Sequence, residues 1–168
     1  TFAQAFGRAQ NTQLIGGALE PLYRPATSTA PATLYFREDY PASALHEVAH
    51  WCIAGTQRRR QEDFGYHYIT GPRNAEDQVA FFESELRTQS LERAFALALG
   101  LEFQPSADNV EADIDAFTQA IQAHTPTLHD WLASSAGARA RTFIRALERT
   151  RERIAQDPHL PLARGAAC

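Results

Sequence analysis

His46-Glu47-Val48-Ala49-His50 constrains this chain more than any other stretch, because its spacing is that of a metal site on a helix. Residues four apart lie above one another on the same helical face, so both imidazoles can reach a single divalent ion. Glu47 stands beside that face, about 100° around the helix from His46. The pattern therefore predicts two metal ligands, His46 and His50, with a carboxylate next to them.

The residues around this motif favour a largely buried helix. Pro41 and Ser43 stand where a helix would start, and Gly55 offers a stop. Glu47 is the only charged residue between Pro41 and Gly55, so the two histidines are polar groups in an otherwise apolar run. We expect a helix from about Ser43 to Ala54. A structural helix with core histidines is the alternative interpretation.

Two histidines leave a metal site incomplete. A catalytic zinc takes a third protein ligand, and a mononuclear iron site takes two histidines and one carboxylate. The helix predicted after the motif offers four candidate carboxylates, those of Glu76, Asp77, Glu83 and Glu85. Glu85 lies near the edge of the predicted buried stripe of its helix, so it could face inward and act as the third ligand. Glu83 is its competitor, and a surface position is the alternative for each of the four.

Length, charge and cysteine content narrow the class of protein. The 168 residues suffice for one domain, and 44% apolar content is ordinary for a globular protein. We expect a single domain over residues 1–157 and a flexible tail over residues 158–168. A net charge of −4 gives no general reason to expect nucleic-acid binding, and no stretch approaches the roughly 18 apolar residues of a membrane span. Two cysteines, Cys52 and Cys168, favour a reducing cytoplasm over a disulfide framework.

The first third of the chain predicts a small β element around the motif. A short helix is expected over residues 2–14, ended by Gly16-Gly17. Short strands are expected at residues 20–23 and 33–36. After the motif, the aromatic residues of 64–68 suggest a further strand.

The remainder predicts helices. Helical periodicity runs over residues 75–101, and a capped helix runs from about residue 106 to His124. Pro126 is expected to start another turn. A final amphipathic helix is expected over residues 139–155, with its arginines on a salt-bridged outer face. The fold class expected from this pattern is α+β, mostly helical, with a small N-terminal β element.

Four residues are candidates for binding a substrate. Tyr66 and Tyr68 would point to the same side of a strand and could line a pocket, with core packing as the alternative for at least one of them. Arg59 and Arg60, together with Arg58, could dock an acidic partner. Solvated cations at the end of a helix are the alternative for these arginines.

Beyond the five-residue motif, the segment ASALHEVAHWCIAG at residues 42–55 resembles the signature of the elongation factor P hydroxylase family. The resemblance covers roughly residues 10 to 115 and departs from the family pattern around residues 67–72 and 82–84. It continues in the stretches NTQLIGG and EPLY upstream, and downstream in Arg59-Arg60, DFGY at 63–66, Tyr68, Gln78, Phe81, Glu85, Gln89, Leu91, Ser106, Asp108-Asn109 and Glu111.

The resemblance implies a bacterial enzyme that hydroxylates a lysylated lysine side chain of elongation factor P, its protein partner. It also implies a zincin-like ligand arrangement, with His46, His50 and Glu85 as metal ligands and Glu47 as the active-site carboxylate. On this hypothesis the cofactor is a divalent metal ion, Fe(II) in the first place with zinc or manganese as alternatives, and dioxygen is the co-substrate. Neither nucleic acid nor a membrane is expected as a direct partner.

Two other functions fit the same motif. The first is a zinc metallopeptidase, in which Glu47 is the general base acting on a zinc-bound water. The second is a non-enzymatic binding protein with a structural zinc, which would need a fourth protein ligand.

Overall fold

The computed structural model describes residues 1–65, 75–105 and 114–157, and for residues 75–81 it describes the backbone alone. Within these ranges the chain forms a three-stranded sheet near the N-terminus, followed by five α-helices. This confirms the expected α+β fold. The tail expected over residues 158–168 lies outside the described residues, so the boundary of the domain stays a prediction.

The sheet consists of β1 (Thr12–Ala18), β2 (Leu22–Arg24) and β3 (Ala32–Arg37). Strand β3 lies in the centre, paired in parallel with β1 and antiparallel with β2. Strands β2 and β3 confirm the two predicted strands, with ends shifted by one or two residues.

The helix predicted over residues 2–14 is wrong beyond its first turn. Only a π-helical turn, Ala3–Gly7, forms there, and the chain then enters β1. Gly16 and Gly17 do not end a helix but lie where the pairing of β1 with β3 shifts register. A Cβ on Gly16 would come within 2.7 Å of Asp39 Oδ1, and Gly17 has a φ of 87°. The two glycines therefore allow a bulge that a residue with a side chain would obstruct.

Helix α1 (Pro41–Ile53) carries the histidine motif and packs against β3, α2 and α5. Pro41 occupies the first turn, where its missing N–H costs no hydrogen bond. The predicted helix is confirmed, and it ends where the Ala54 backbone turns extended. Five of its apolar side chains are buried in the hydrophobic core, and they are Leu45, Val48, Ala49, Trp51 and Cys52.

The later helices confirm most of the helical predictions. Pro126, expected to start a turn, instead lies in the first turn of a helix, and the cap expected at residues 106–109 lies outside the described residues. In the described parts of the chain, no helix has the length and apolarity that a membrane crossing requires. The four helices are α2 (Ala75–Leu99), α3 (Ile114–Ala123), α4 (Thr125–Ala133) and α5 (Ala138–Gln156).

The strand predicted over residues 64–68 is wrong at its start. Glu62–Gly65 forms a short 3₁₀ segment, in which Asp63 and Phe64 have φ values of 46° and 58°. The left-handed backbone region is unusual for residues with a side chain. Tyr66 and Tyr68 lie outside the described residues.

Candidate metal centre

The two motif histidines lie side by side on α1, as their spacing predicts. Their Nε2 atoms are 3.1 Å apart, and their ring centroids are 4.7 Å apart. Both side chains are largely buried, with 22% of His46 and 11% of His50 exposed. Two ring nitrogens therefore converge on one point beside the helix.

Helix α2 brings a carboxylate to this point. Glu85 places Oε2 at 3.7 Å from His46 Nε2 and Oε1 at 3.5 Å from His50 Nε2. One ligand atom from each of the three side chains lies within 4.8 Å of the others. Glu83, the competing candidate, is exposed to solvent. Of the two glutamates, Glu85 is thus the one that the fold brings to the histidines.

Each of these three residues also contacts another side chain of α2. Glu92 Oε2 lies 2.8 Å from His46 Nδ1. Gln89 donates a hydrogen bond from Nε2 to Glu85 Oε2 at 3.2 Å. The hydroxyl of Thr88 lies farther from its partner, 3.5 Å from Nδ1 of His50. The side chains of Thr88, Gln89 and Glu92 are almost fully buried.

The charges around the site favour a cation there. Burial lowers the pKa of His46, whereas the hydrogen bond and the charge of Glu92 raise it. With the further charges of Glu85 and Glu47, the pKa of His46 rises to about 9. Burial raises the pKa of Glu85, yet contacts with His50 and His46 lower it to about 2. The site therefore keeps the carboxylate of Glu85 ionised and favours positive charge beside it.

Glu47 is buried, with only 7% of its surface exposed. Burial raises the pKa of its carboxyl group, while the nearby His50 and His46 act in the opposite direction. The charges of Glu85 and Asp63 raise that pKa further. Glu47 is thus a carboxylate close to the two histidines that favours its protonated form more than a solvent-exposed glutamate does.

The donor set suits a divalent metal ion. Two imidazole nitrogens and one carboxylate leave further coordination positions open, as catalytic zinc sites and mononuclear iron sites require. Metal-binding histidines generally donate their second ring N–H to a carboxylate, a carbonyl or water, and the contact between His46 and Glu92 fits this rule. The residues of this site therefore fit the metal that the motif predicts.

A sequence profile described as elongation factor P hydroxylase matches residues 1–158 of the chain. The chain belongs to this family. It is also 42% identical over 124 residues to the elongation factor P lysine hydroxylase of Haemophilus influenzae. That alignment covers 71% of this chain and 70% of the relative. The family resemblance expected from the sequence is thus confirmed.

In this member of the hydroxylase family, Phe64 lies next to the candidate metal centre. Its ring is stacked on that of Tyr23 at a centroid distance of 4.2 Å, and it lies 6.4 Å from the ring of His50. Asp63 Oδ1 accepts a hydrogen bond from the backbone N–H of Tyr23 at 2.8 Å. These contacts hold the left-handed 3₁₀ segment against β2, so that an aromatic side chain stands beside the second histidine.

The four predicted substrate-binding residues differ in their exposure to solvent and in whether the structure describes them. Arg59 points inward and donates a hydrogen bond to the carbonyl oxygen of Ala54, whereas Arg60 is exposed. Tyr66 and Tyr68 fall outside the described residues. Their role in binding stays a prediction.

Sequence reasoning missed Glu92 in this hydroxylase-family site. It follows Glu85 by seven residues, two helical turns, so the two carboxylates lie on the same face of α2. Once Glu85 is assigned as a ligand, the seven-residue spacing indicates that Glu92 lies on the same side of the helix. The approach of Glu92 to His46 depends on how α2 packs against α1, which the local pattern does not contain.

Proposed function

We propose that this chain is a metal-dependent hydroxylase that acts on the lysylated lysine side chain of elongation factor P in the cytoplasm. The observation that carries the proposal is the convergence of His46, His50 and Glu85 within 4.8 Å in a member of this family. The name of the relative from Haemophilus influenzae, elongation factor P lysine hydroxylase, supports the same substrate.

His46, His50 and Glu85 would hold the metal through two imidazole nitrogens and one carboxylate. Fe(II) fits the proposed chemistry, since two histidines and one carboxylate with open positions are typical of iron sites that activate dioxygen. The same donors also suit zinc and manganese. In the overall reaction a C–H bond of the side chain becomes C–OH. The second oxygen atom of dioxygen leaves as water, with two protons and two electrons from an external reductant.

Glu47 would act as the proton-handling carboxylate of the site. It is buried and lies near both histidines, and burial shifts its pKa upwards. A group of this kind can hold a proton beside the reacting atoms and release it again. Its neighbour around the helix, His46, would hold the metal, so the two roles fall on separate faces of α1.

The substrate would approach from the side of the 3₁₀ segment. Phe64 stands beside His50 there, and Tyr66 and Tyr68 follow in the sequence. We propose that these two tyrosines contact the aliphatic stem of the modified lysine. Arg60, together with Arg58, would attract an acidic surface of the protein substrate, and such an attraction weakens as salt is added.

The test is the intact mass of lysylated elongation factor P after incubation with the purified protein, Fe(II), air and ascorbate as reductant. We expect a gain of one oxygen atom with the wild type and none with His46→Ala. His129→Ala is the matched control, because His129 is an exposed histidine on α4 with 84% of its side chain accessible. It should modify the substrate like the wild type.

The outcome also separates the proposal from its rivals. No gain of oxygen from a metal-loaded, folded wild type would contradict hydroxylation. Cleavage of peptides under the same conditions, independent of oxygen and lost in Glu47→Gln, would instead support the metallopeptidase. Replacing Arg58 and Arg60 by alanine tests docking, and unchanged binding at every salt concentration would refute a role for these arginines.

A further inference from the structure

We infer that Glu92 is a positioning residue that fixes the orientation and tautomer of His46, so that Nε2 of His46 is presented to the metal. The inference rests on the proposed metal site and extends it to a residue outside the three ligands. Glu92 does not converge with the ligand atoms of His50 and Glu85. It contacts the opposite nitrogen of the His46 ring instead.

The geometry of the contact is that of a strong hydrogen bond. Glu92 Oε2 lies 2.8 Å from His46 Nδ1, a distance typical of a bond between a ring N–H and a carboxylate. Only 7% of Glu92 is exposed. A glutamate this deeply buried generally has a charged or hydrogen-bonding partner, and here the partner is the first histidine of the motif.

The chemistry follows from the two nitrogens of one ring. In a neutral imidazole one nitrogen carries the proton and the other carries the lone pair. A carboxylate at Nδ1 of His46 holds the proton on that side, so Nε2 keeps the lone pair that a metal needs. The negative charge of Glu92 also makes the ring a better electron donor.

The three contacts from α2 to the proposed ligands differ in the charge of the α2 group. His50 is 3.5 Å from the hydroxyl of Thr88, and Glu85 accepts a hydrogen bond from the amide of Gln89. Both of these α2 groups are neutral. Among these three contacts, only the one from Glu92 to His46 brings a charge, so the effect of losing it should be the largest.

The test compares metal binding by the wild type, Glu92→Gln and Glu92→Asp, using Zn²⁺ in competition with a chelator. We expect Glu92→Gln to bind zinc about 10- to 100-fold more weakly, the range found for partners of metal-binding histidines. Glu92→Asp keeps the charge on a shorter side chain, so it should recover part of the affinity. Glu83→Gln, an exposed glutamate of the same helix, is the matched control and should bind like the wild type.

A second measurement separates positioning from a general structural role. In the zinc-loaded wild type, nitrogen NMR should find the His46 proton on Nδ1, and in Glu92→Gln that signal should shift or broaden through faster exchange. This measurement also applies if Glu92→Gln loses stability, because Glu92→Asp can be examined in the same way.

Two negative results are distinguishable. If the wild type binds no zinc, the proposed metal site itself is wrong. If the wild type binds zinc and Glu92→Gln binds it equally well with an unchanged Nδ1 signal, only the role of Glu92 is overturned.

Discussion

The Nη2 atom of Arg139 lies 2.7 Å from the carbonyl oxygen of Ala54, where helix α1 ends. The same atom lies 3.0 Å from the carbonyl oxygen of Cys52 and 3.3 Å from that of Trp51. The last carbonyl groups of a helix have no hydrogen-bond partner within it, and here the Arg139 side chain of α5 donates hydrogen bonds to them. Its positive charge also complements the helix dipole. Arg139 thereby ties α5 to the helix that carries both histidines.

We expect Arg139→Leu to lower the free energy of unfolding by about 2 kcal/mol, because hydrogen bonds from a charged donor contribute roughly 1.5–3 kcal/mol. Urea denaturation measures the loss. Arg145→Leu is the matched control, since Arg145 is an exposed arginine of the same helix, and it should change stability by no more than about 0.5 kcal/mol. Equal losses in the two variants would contradict a specific role of Arg139 as a cap.

A second prediction concerns the bulge in β1. Gly16→Ala should lower the free energy of unfolding by roughly 1–3 kcal/mol, the usual cost of forcing extra atoms into a packed site. The added Cβ would come within 2.7 Å of Asp39 Oδ1, of the backbone oxygen of Glu38 and of the Phe36 ring. Gly55→Ala serves as control, because a Cβ there meets no atom within 4 Å. If both variants unfold at the same urea concentration, the bulge does not require glycine.

The histidine helix and the bulge also show how much of the fold can be predicted from the sequence. The helix with His46 and His50 is predictable because the spacing of two residues and the apolar flanks are local properties. Gly16 and Gly17 carry the same local signal whether they end a helix or form a bulge, and the choice depends on pairing with β3. The local pattern therefore favoured a helix where the structure has a strand.

The residues of the candidate site also differ in how far the local sequence indicates their position. The sequence indicates Glu85 as a candidate because it lies at the edge of an apolar stripe, and the structure brings it to the histidines. Arg139 was expected on an outer face, since helical periodicity does not say which helix end lies nearby. Its contact with Ala54, like that of Glu92 with His46, is created by tertiary packing and is not encoded in the local pattern.

Glu85 and Glu83 offer a matched pair for testing the third ligand. Added Zn²⁺ should raise the melting temperature of the wild type, because a ligand at 100 times its Kd stabilises the folded state by about 2.7 kcal/mol. We expect this rise to disappear in Glu85→Gln, which keeps the shape of the side chain but loses its charge. Glu83→Gln should retain it, since Glu83 is exposed. A rise preserved in Glu85→Gln would mean that another group completes the site.

Glu47→Gln should separate metal binding from turnover. Glu47 is not among the three converging side chains, so zinc should still raise the melting temperature of the variant. Hydroxylation of elongation factor P, measured by intact mass, should fall by about 10²- to 10⁴-fold, the usual contribution of a positioned acid or base. Loss of the zinc effect in this variant would make Glu47 a ligand and refute its separate role.

The same variant should also be at least as stable as the wild type when both are free of metal. Burial raises the pKa of Glu47, so ionising it costs more in the folded state than in the unfolded state. That cost grows as the pH rises above the pKa of the unfolded chain, and the neutral amide of glutamine avoids it. We therefore expect urea denaturation at neutral pH to show equal or greater stability for Glu47→Gln, with the difference shrinking towards acidic pH. Lower stability at neutral pH would mean that the contacts of Glu47 in the folded state outweigh the cost of burying its charge.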